Sequence, residues 1–132
     1  MIVIDTHVLV WWVSGSGTLS TAAKKAIKTT LNNGSEVLIS SISAWEIAML
    51  VEKGRLVLNM DLESWLNEVA QIDGVRFLPI DNEIGVKSTA LPGDFHKDPA
   101  DRMIVATARK LAVPLVTADE KIRQYEHVKT IW

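Results

Sequence analysis

The stretch VLISSISAWEIAMLVEKG, residues 37–54, joins a short apolar strand to a helix and thereby indicates the class of fold. Its first four residues, VLIS, are apolar in succession rather than in alternation, which is typical of a strand buried on both faces. The residues that follow predict a helix with Ser43 as N-cap and Gly54 just past its end. Such a strand needs helices above and below it, so the stretch favours a parallel sheet covered on both sides.

The same alternation of strands and helices continues in both directions along the chain. Further strands are predicted at IVI (2–4), VRFLPI (75–80), PLVT (114–117) and VKTIW (128–132). Further helices are predicted to begin after Ser20, Asp61, Asp81, Asp98 and Asp119. A chain of 132 residues suits one hydrophobic core. We therefore expect residues 1–132 to form a single α/β domain, with a parallel sheet between two layers of helices.

The composition excludes several classes of protein. The chain has no cysteine, which excludes disulfide frameworks, thiolate zinc sites and cysteine nucleophiles. Its net charge is −2, without the basic excess that usually accompanies nucleic-acid binding. The apolar start MIVID is too short for a signal peptide, and no later run is long enough to cross a bilayer. We expect a cytoplasmic protein that is not bound to a membrane.

Four carboxylates are predicted to meet at one edge of the sheet. Asp5 ends the first strand, Glu46 lies in the first turn of the helix after the second strand, and Asp119 follows the fourth strand. Asp101 begins a helix that leads back to the opposite edge, so its first turn also lies near the shared edge. Ligands of open parallel sheets bind at this edge, where the strand order reverses.

Each acid also has a purely structural interpretation. Ser43 and Glu46 fit the capping box S-x-x-E, in which the glutamate bonds back to the cap. An aspartate that follows a strand, as Asp5 and Asp119 do, is commonly a turn or N-cap residue. Asp98 precedes Pro99 and is therefore a good N-cap for the helix that follows.

Two of the acids are difficult to explain as caps alone. Asp101 shares the apolar stripe of its helix with Ile104 and Val105, where an unpaired carboxylate is costly. Glu46 is the only charged residue from Ser41 to Val51. Carboxylates that converge raise one another's pKa unless a hard cation such as Mg²⁺ or Mn²⁺ neutralises them. We therefore expect a cation site able to hold a phosphodiester substrate.

Four stretches together resemble the PIN domain and, more narrowly, the VapC-type ribonuclease toxins of prokaryotic toxin–antitoxin pairs. They are VIDTHVLVWW (3–12), SAWEIA (43–48), HKDPADRMIVATA (96–108) and LVTADEKI (115–122). Each is weak alone, but their order and spacing are fairly specific and cover nearly the whole chain. The resemblance implies a PIN-like three-layer α/β/α fold with about five parallel strands. It also implies endonucleolytic cleavage of RNA that depends on Mg²⁺ or Mn²⁺.

The resemblance also carries roles to individual positions. It implies a catalytic set of four acids, namely Asp5, Glu46, Asp101 and Asp119. The metal ligands among them would be Asp5, Asp101 and Asp119, while the glutamate binds metal or orients the attacking water. Supporting or structural roles are expected for Thr117, His7 and Asp98. Apart from the resemblance, Arg102 and Lys97 flank the site and are candidates for contacts with RNA phosphate, although residues at a solvated helix start could equally have no such role. The implied partners are an RNA substrate, a VapB-type antitoxin and a second copy of the chain in a homodimer.

Other residues carry less specific expectations. His7 is expected to lie in a loop from which it could reach the site. His96 and His127 lack the spacing of a metal pair, which makes a zinc site improbable. Trp45 and the helix from it to Val51 are candidates for lining a groove that binds the antitoxin, although core packing explains them equally well.

Three alternatives to a ribonuclease are open from the sequence. A phosphatase of the haloacid dehalogenase type needs a second acid two residues after Asp5, where this chain has His7. A receiver-like signalling domain needs an acid pair after the first strand and a lone aspartate after the third, where Asp81 stands. A non-catalytic PIN-like module that binds RNA or protein is the third alternative, and the four intact acids count against it.

Overall fold

Strands and helices alternate along residues 1–132, all of which the computed structural model describes. The strands are β1 (Ile2–Ile4), β2 (Val37–Ser40), β3 (Val75–Leu78), β4 (Leu115–Val116) and β5 (Thr130–Ile131). The helices are α1 (Thr6–Ser14), α2 (Thr21–Asn32), α3 (Ile42–Glu52), α4 (Leu62–Ala70), α5 (Asn82–Thr89), α6 (Pro99–Leu111) and α7 (Glu120–Arg123). None of these helices is both long and apolar enough to cross a lipid bilayer.

The five strands form one sheet in the order β3-β2-β1-β4-β5, and every neighbouring pair is parallel. This confirms the predicted five-stranded parallel sheet. The chain first moves outward from β1 through β2 to β3, and then returns to the other side of β1 with β4. The strand order therefore reverses between β1 and β4, and a ligand site is expected at the ends of these two strands.

The sheet separates two apolar cores, which confirms the predicted three layers. Successive residues of β1 point to opposite faces, as in any strand. Ile2 and Ile4 contribute to the core on the side of α1 and α2, whereas Val3 contributes to the core on the side of α6. All three side chains are buried, which explains why the strand reads as an uninterrupted apolar run.

Helix α1 begins immediately after β1 and is not predicted by the sequence pattern. It runs from Thr6 to Ser14 and ends at Gly15, whose φ of 69° lies in the left-handed region that glycine adopts without strain. The sequence VLVWW within it is apolar on almost every face, so the 3.6-residue pattern of an amphipathic helix is absent. His7 therefore lies in the first turn of a helix, and the prediction that it lies in a loop is wrong.

Most helix starts agree with the predicted caps. Side chains accept hydrogen bonds from backbone N–H groups at Ser20, Asp61, Asp81, Asp98 and Asp119. Helix α3 is the exception, because it begins at Ile42 with Ser41 at the N-cap position and has no side-chain cap. The predicted capping box of Ser43 and Glu46 is wrong, and both side chains are free for other contacts.

Candidate active site

The ends of β1 and β4 place Asp5 against Thr117. The Thr117 hydroxyl donates a hydrogen bond to Asp5 Oδ2 at 2.6 Å, while the Thr6 backbone N–H donates to Oδ1 at 2.8 Å. Thr117 also accepts from the backbone N–H of Asp119 at 3.0 Å. One fully buried hydroxyl thus fixes the Asp5 carboxylate and the start of α7 relative to each other.

A chain of two buried hydroxyl groups holds Glu46. Thr6 Oγ1 donates to Glu46 Oε1 at 2.5 Å and lies 2.8 Å from Ser43 Oγ. Because the single hydroxyl proton of Thr6 is given to the carboxylate, Ser43 is the donor to Thr6. Ser43 and Thr6 are both almost completely buried, so water does not compete for these bonds. The serine of the predicted capping box therefore orients Glu46 through α1.

The two aspartates at the start of α6 serve different purposes. Asp98 Oδ1 accepts a hydrogen bond from the Asp101 backbone N–H at 2.9 Å, which is the N-cap contact. The side chain of Asp101, the third residue of the helix, is only 18% exposed and accepts none of the hydrogen bonds that cap the helix. It faces the other acids of the site instead.

The acids named from the sequence come together around Asp101. One carboxylate oxygen each of Glu46, Asp98 and Asp101 lies within 4.8 Å of the other two. An oxygen of Asp101 also lies within 4.8 Å of an oxygen of Asp119. Asp5 lies beside this cluster at the end of β1. Thr6 links it to Glu46, and Thr117 links it to the backbone of Asp119.

Burial and like charge shift the pKa values of three of these acids upward. Burial, followed by the charges of Asp5, Asp98, Asp119 and Glu46, raises the pKa of Asp101 to about 8. Burial raises the pKa of Asp5, although hydrogen bonds from Thr117 and Thr6 oppose the shift. Burial also raises the pKa of Glu46, and the Thr6 hydroxyl opposes it. A cluster of this kind is stabilised by positive charge.

Sequence reasoning did not assign three residues to the site: Thr6 and His96, which contact the acids, and Ser43, which contacts Thr6. The two hydroxyl residues were missed because their contacts depend on α1, which the sequence pattern concealed. His96 has no histidine partner at the spacing of a metal pair, yet its Nε2 lies 3.1 Å from Asp101 Oδ2. The run from His96 through Asp98 to Asp101 was the available signal.

Other residues named from the sequence have different positions. The guanidinium of Arg102 donates to the backbone oxygens of Ser88, Phe95 and His96 at 2.8–3.1 Å, so it anchors the loop before α6. These contacts give Arg102 a structural role, and its contact with RNA phosphate stays a prediction. His7 is exposed in the first turn of α1, next in sequence to Thr6, which holds Glu46.

A cluster of carboxylates at the switch point of a parallel sheet is typical of hydrolases that act on phosphate esters with divalent cations. Within that class, residues 2–128 match the PIN domain model, and the chain belongs to the PIN domain family. It is 36% identical over 133 aligned positions to Ribonuclease VapC22 of Mycobacterium tuberculosis (strain ATCC 25618 / H37Rv), covering 99% of this chain and 98% of that protein.

Solved structures share the fold over nearly the whole chain. VapBC2 from Rickettsia felis, bound to a DNA fragment from its promoter, matches with a TM-score of 0.70 at 17% identity, over 98% of this chain and 97% of that chain. A toxin–antitoxin complex from Klebsiella pneumoniae matches with a TM-score of 0.67 at 19% identity, over 97% and 95%. The receiver-like alternative does not fit this fold, because Asp81 follows the outermost strand β3, two strands away from Asp5.

Proposed function

We propose that this chain is an endoribonuclease that hydrolyses RNA phosphodiester bonds at the acidic cluster and acts as the toxin of a toxin–antitoxin pair. The observation that carries the proposal is the convergence of Asp5, Glu46, Asp101 and Asp119 at the switch point of the sheet. Support for RNA as substrate comes from the 36% identity to a ribonuclease over the whole chain. The phosphatase of the haloacid dehalogenase type lacks its second acid here, and the non-catalytic module leaves the cost of clustering four acids unexplained.

The residues present fit a hard divalent cation. The four acids offer only oxygen donors, which is the preference of Mg²⁺ and Mn²⁺. Burial and, after it, like charge raise the pKa of Asp101 to about 8, and a nearby cation would oppose this shift. Asp5, Asp101 and Asp119 are the proposed ligands, and Mg²⁺ is the expected ion with Mn²⁺ as a substitute.

When bound, such a cation supplies Lewis acidity, neutralising the phosphate charge and making water easier to deprotonate. The chain itself supplies orientation. Asp5 is held through both carboxylate oxygens by Thr117 and Thr6, so its remaining lone pairs point in a fixed direction. Glu46 has one oxygen held by Thr6 and the other free, which suits it to align the attacking water or to bind the cation.

Cleavage of RNA by purified protein tests this function. We expect new RNA ends in the presence of Mg²⁺ or Mn²⁺ and none with a chelator. Asp101→Asn and Asp119→Asn should each reduce the cleavage rate by about 100-fold or more, because loss of even an outer-shell contact commonly costs 10–100-fold. Asp61→Asn is the matched control, since Asp61 caps α4 outside the cluster. Equal cleavage by all the variants would contradict the proposal.

An antitoxin is the proposed protein partner, and an apolar groove of about 590 Å³ is its proposed docking site. The groove lies between α1, α4 and the segment that joins α3 to α4. Its apolar lining is Val10, Val13, Leu56, Val57, Leu58, Met60 and Trp65. Val57 is 88% exposed, which is unusual for a valine and typical of a surface awaiting a partner. Trp45 lies outside this groove and is 57% exposed, so core packing does not explain it and its contact with the antitoxin stays a prediction.

Helix α1 connects the groove to the acidic site. It begins at Thr6, which contacts two of the acids, and its other end contributes Val13 to the groove. Nine helical residues span about 13 Å. One antitoxin segment can therefore fill the groove and reach the acids along α1. The homodimer implied by the family resemblance belongs to the same proposal, and light scattering of the purified chain measures it.

A further inference from the structure

His96 occupies a fixed position beside the acids. The Arg102 guanidinium binds the carbonyl oxygens of Phe95 and His96, which holds the loop against the start of α6. The imidazole ring lies 4.4 Å from the Phe95 ring, which in turn packs 4.7 Å from the ring of Tyr125. The side chain of His96 is 22% exposed. Its ring is therefore held in place before any ligand arrives.

The hydrogen-bond network assigns the proton of this ring. The backbone N–H of Asp98 donates to His96 Nδ1 at 3.4 Å, so Nδ1 must present a lone pair. The proton of the neutral ring is then on Nε2. This atom is enclosed by protein, lies 3.1 Å from Asp101 Oδ2 and has no aligned hydrogen-bond partner.

We infer that His96 is a positioning residue, which donates from Nε2 to Asp101 Oδ2 and directs Oδ1 of the same carboxylate into the acidic cluster. The spacing of the side chains alone would also permit His96 to be a metal ligand, since His96 Nε2 and one oxygen each of Asp101 and Asp119 lie within 4.8 Å of one another. Coordination through Nε2 would require the proton on Nδ1, where it would face the N–H donor of Asp98, so the hydrogen bond at Nδ1 counts against that mixed set. The inference rests on the proposed cation site and adds that its protein ligands are oxygen atoms only.

This arrangement has a consequence for the choice of metal. An all-oxygen set suits Mg²⁺ and Mn²⁺, whereas a histidine ligand would favour Zn²⁺ and related ions. The hydrogen bond also orients Asp101 and increases its ability to bind a cation, as outer-shell partners do. We expect His96→Ala to weaken Mn²⁺ binding about 10-fold. His96→Gln, whose amide N–H reaches a position similar to Nε2, should restore much of that loss.

Two measurements test the inference without any RNA. Long-range ¹H–¹⁵N spectra of the labelled protein should show His96 with its proton on Nε2, both alone and with Mg²⁺ or Zn²⁺. A proton on Nδ1, or an Nε2 shift typical of coordination when either ion is added, would overturn it. Titration with Mn²⁺ followed by electron paramagnetic resonance should give the order wild type, His96→Gln, His96→Ala, with His127→Ala equal to wild type. Equal Mn²⁺ affinity of His96→Ala and wild type would also overturn it.

The failure of this inference is distinguishable from failure of the proposed function. If the protein binds Mn²⁺ in the expected order but cuts no RNA, the positioning role stands and the nuclease proposal fails. If RNA is cut while His96 coordinates the added ion through Nε2, the nuclease proposal stands and the positioning role fails.

Discussion

Asp98 and Asp101 lie three residues apart at the start of α6, but they have different roles because their surroundings differ. Asp98 has a structural role, and Asp101 belongs to the acidic site. Asp98 is exposed and uses its carboxylate to cap the helix. Asp101 is largely enclosed, and the charges of four other acids act on it. A helix start needs only one capping acid, so Asp101 is available for chemistry. In the cation-free protein its surroundings disfavour the charged carboxylate, which is why its pKa is raised.

The pKa of Asp101, which burial and like charge raise, predicts how the stability of the cation-free protein depends on pH. The folded protein holds a proton on Asp101 up to about pH 8, whereas the unfolded chain releases it near pH 3.8. Between these values the folded state binds more protons than the unfolded state, so the free energy of unfolding decreases as pH rises. The upward shifts of Asp5 and Glu46 have the same sign.

We expect Asp101→Asn to fold normally and to raise the melting temperature of the cation-free protein at pH 8, with a smaller effect at pH 5. Each kcal/mol of relieved repulsion corresponds to about 3–5 °C for a chain of this size. Thermal unfolding in a chelating buffer across pH 4–9 measures the change, and Mg²⁺ should stabilise the wild type more than the variant. A large loss of stability at every pH would instead make Asp101 a structural residue of the helix start.

At the scale of helices and strands, local signals were easier to predict than contacts between elements. Strands β1 and β4 are continuous apolar runs and the caps are single polar residues, so both are visible within a few positions. Helix α1 was missed because it packs on several sides and lacks a polar face. The start of α3 was misplaced because Ser43 and Glu46 imitate a capping box, while their hydroxyl partner Thr6 lies 37 and 40 residues away.

The end of α1 gives a prediction for a single element. Gly15 has a φ of 69°, and no atom lies within 4 Å of the position that a Cβ would occupy, so Gly15→Ala introduces backbone strain without a clash. We expect a loss of about 1 kcal/mol in the free energy of unfolding. Gly17 has equal space and no positive φ, and Gly17→Ala should be neutral or slightly stabilising. Urea unfolding of both variants checks this, and equal stability would mean that α1 does not end as described.

At the scale of the whole molecule, the site joins the two layers that flank the sheet. Glu46 comes from α3, which packs mainly in the core with α1, and Asp101 comes from α6 in the opposite core. The acids were predictable as a group because parallel strands all end at one edge. The detailed arrangement was not, because it depends on how α3 and α6 approach each other over the end of β1.

The proposed antitoxin gives a prediction at the same scale. Four clustered carboxylates attract an arginine guanidinium as well as a divalent cation, and a guanidinium matches a carboxylate with two parallel hydrogen bonds. An antitoxin segment seated in the groove should therefore place an arginine among the acids. We expect excess Mg²⁺ to weaken inhibition of cleavage, and substitution of the four acids by Asn or Gln to weaken antitoxin binding. Calorimetry with the folded quadruple variant measures this, and unchanged affinity would mean that the antitoxin covers the site without entering it.

The central position of β1 also determines when the site comes into existence during protein synthesis. Asp5 leaves the ribosome before its hydrogen-bond partner Thr117, which follows 112 residues later. At about 5–20 residues per second, this interval is on the order of 6–20 seconds. Until β4 emerges and pairs with β1, the nascent chain lacks one wall of the acidic cluster. A toxin built in this order has an incomplete acidic cluster until β4 is in place, and an antitoxin already present in the cell can bind it from that moment.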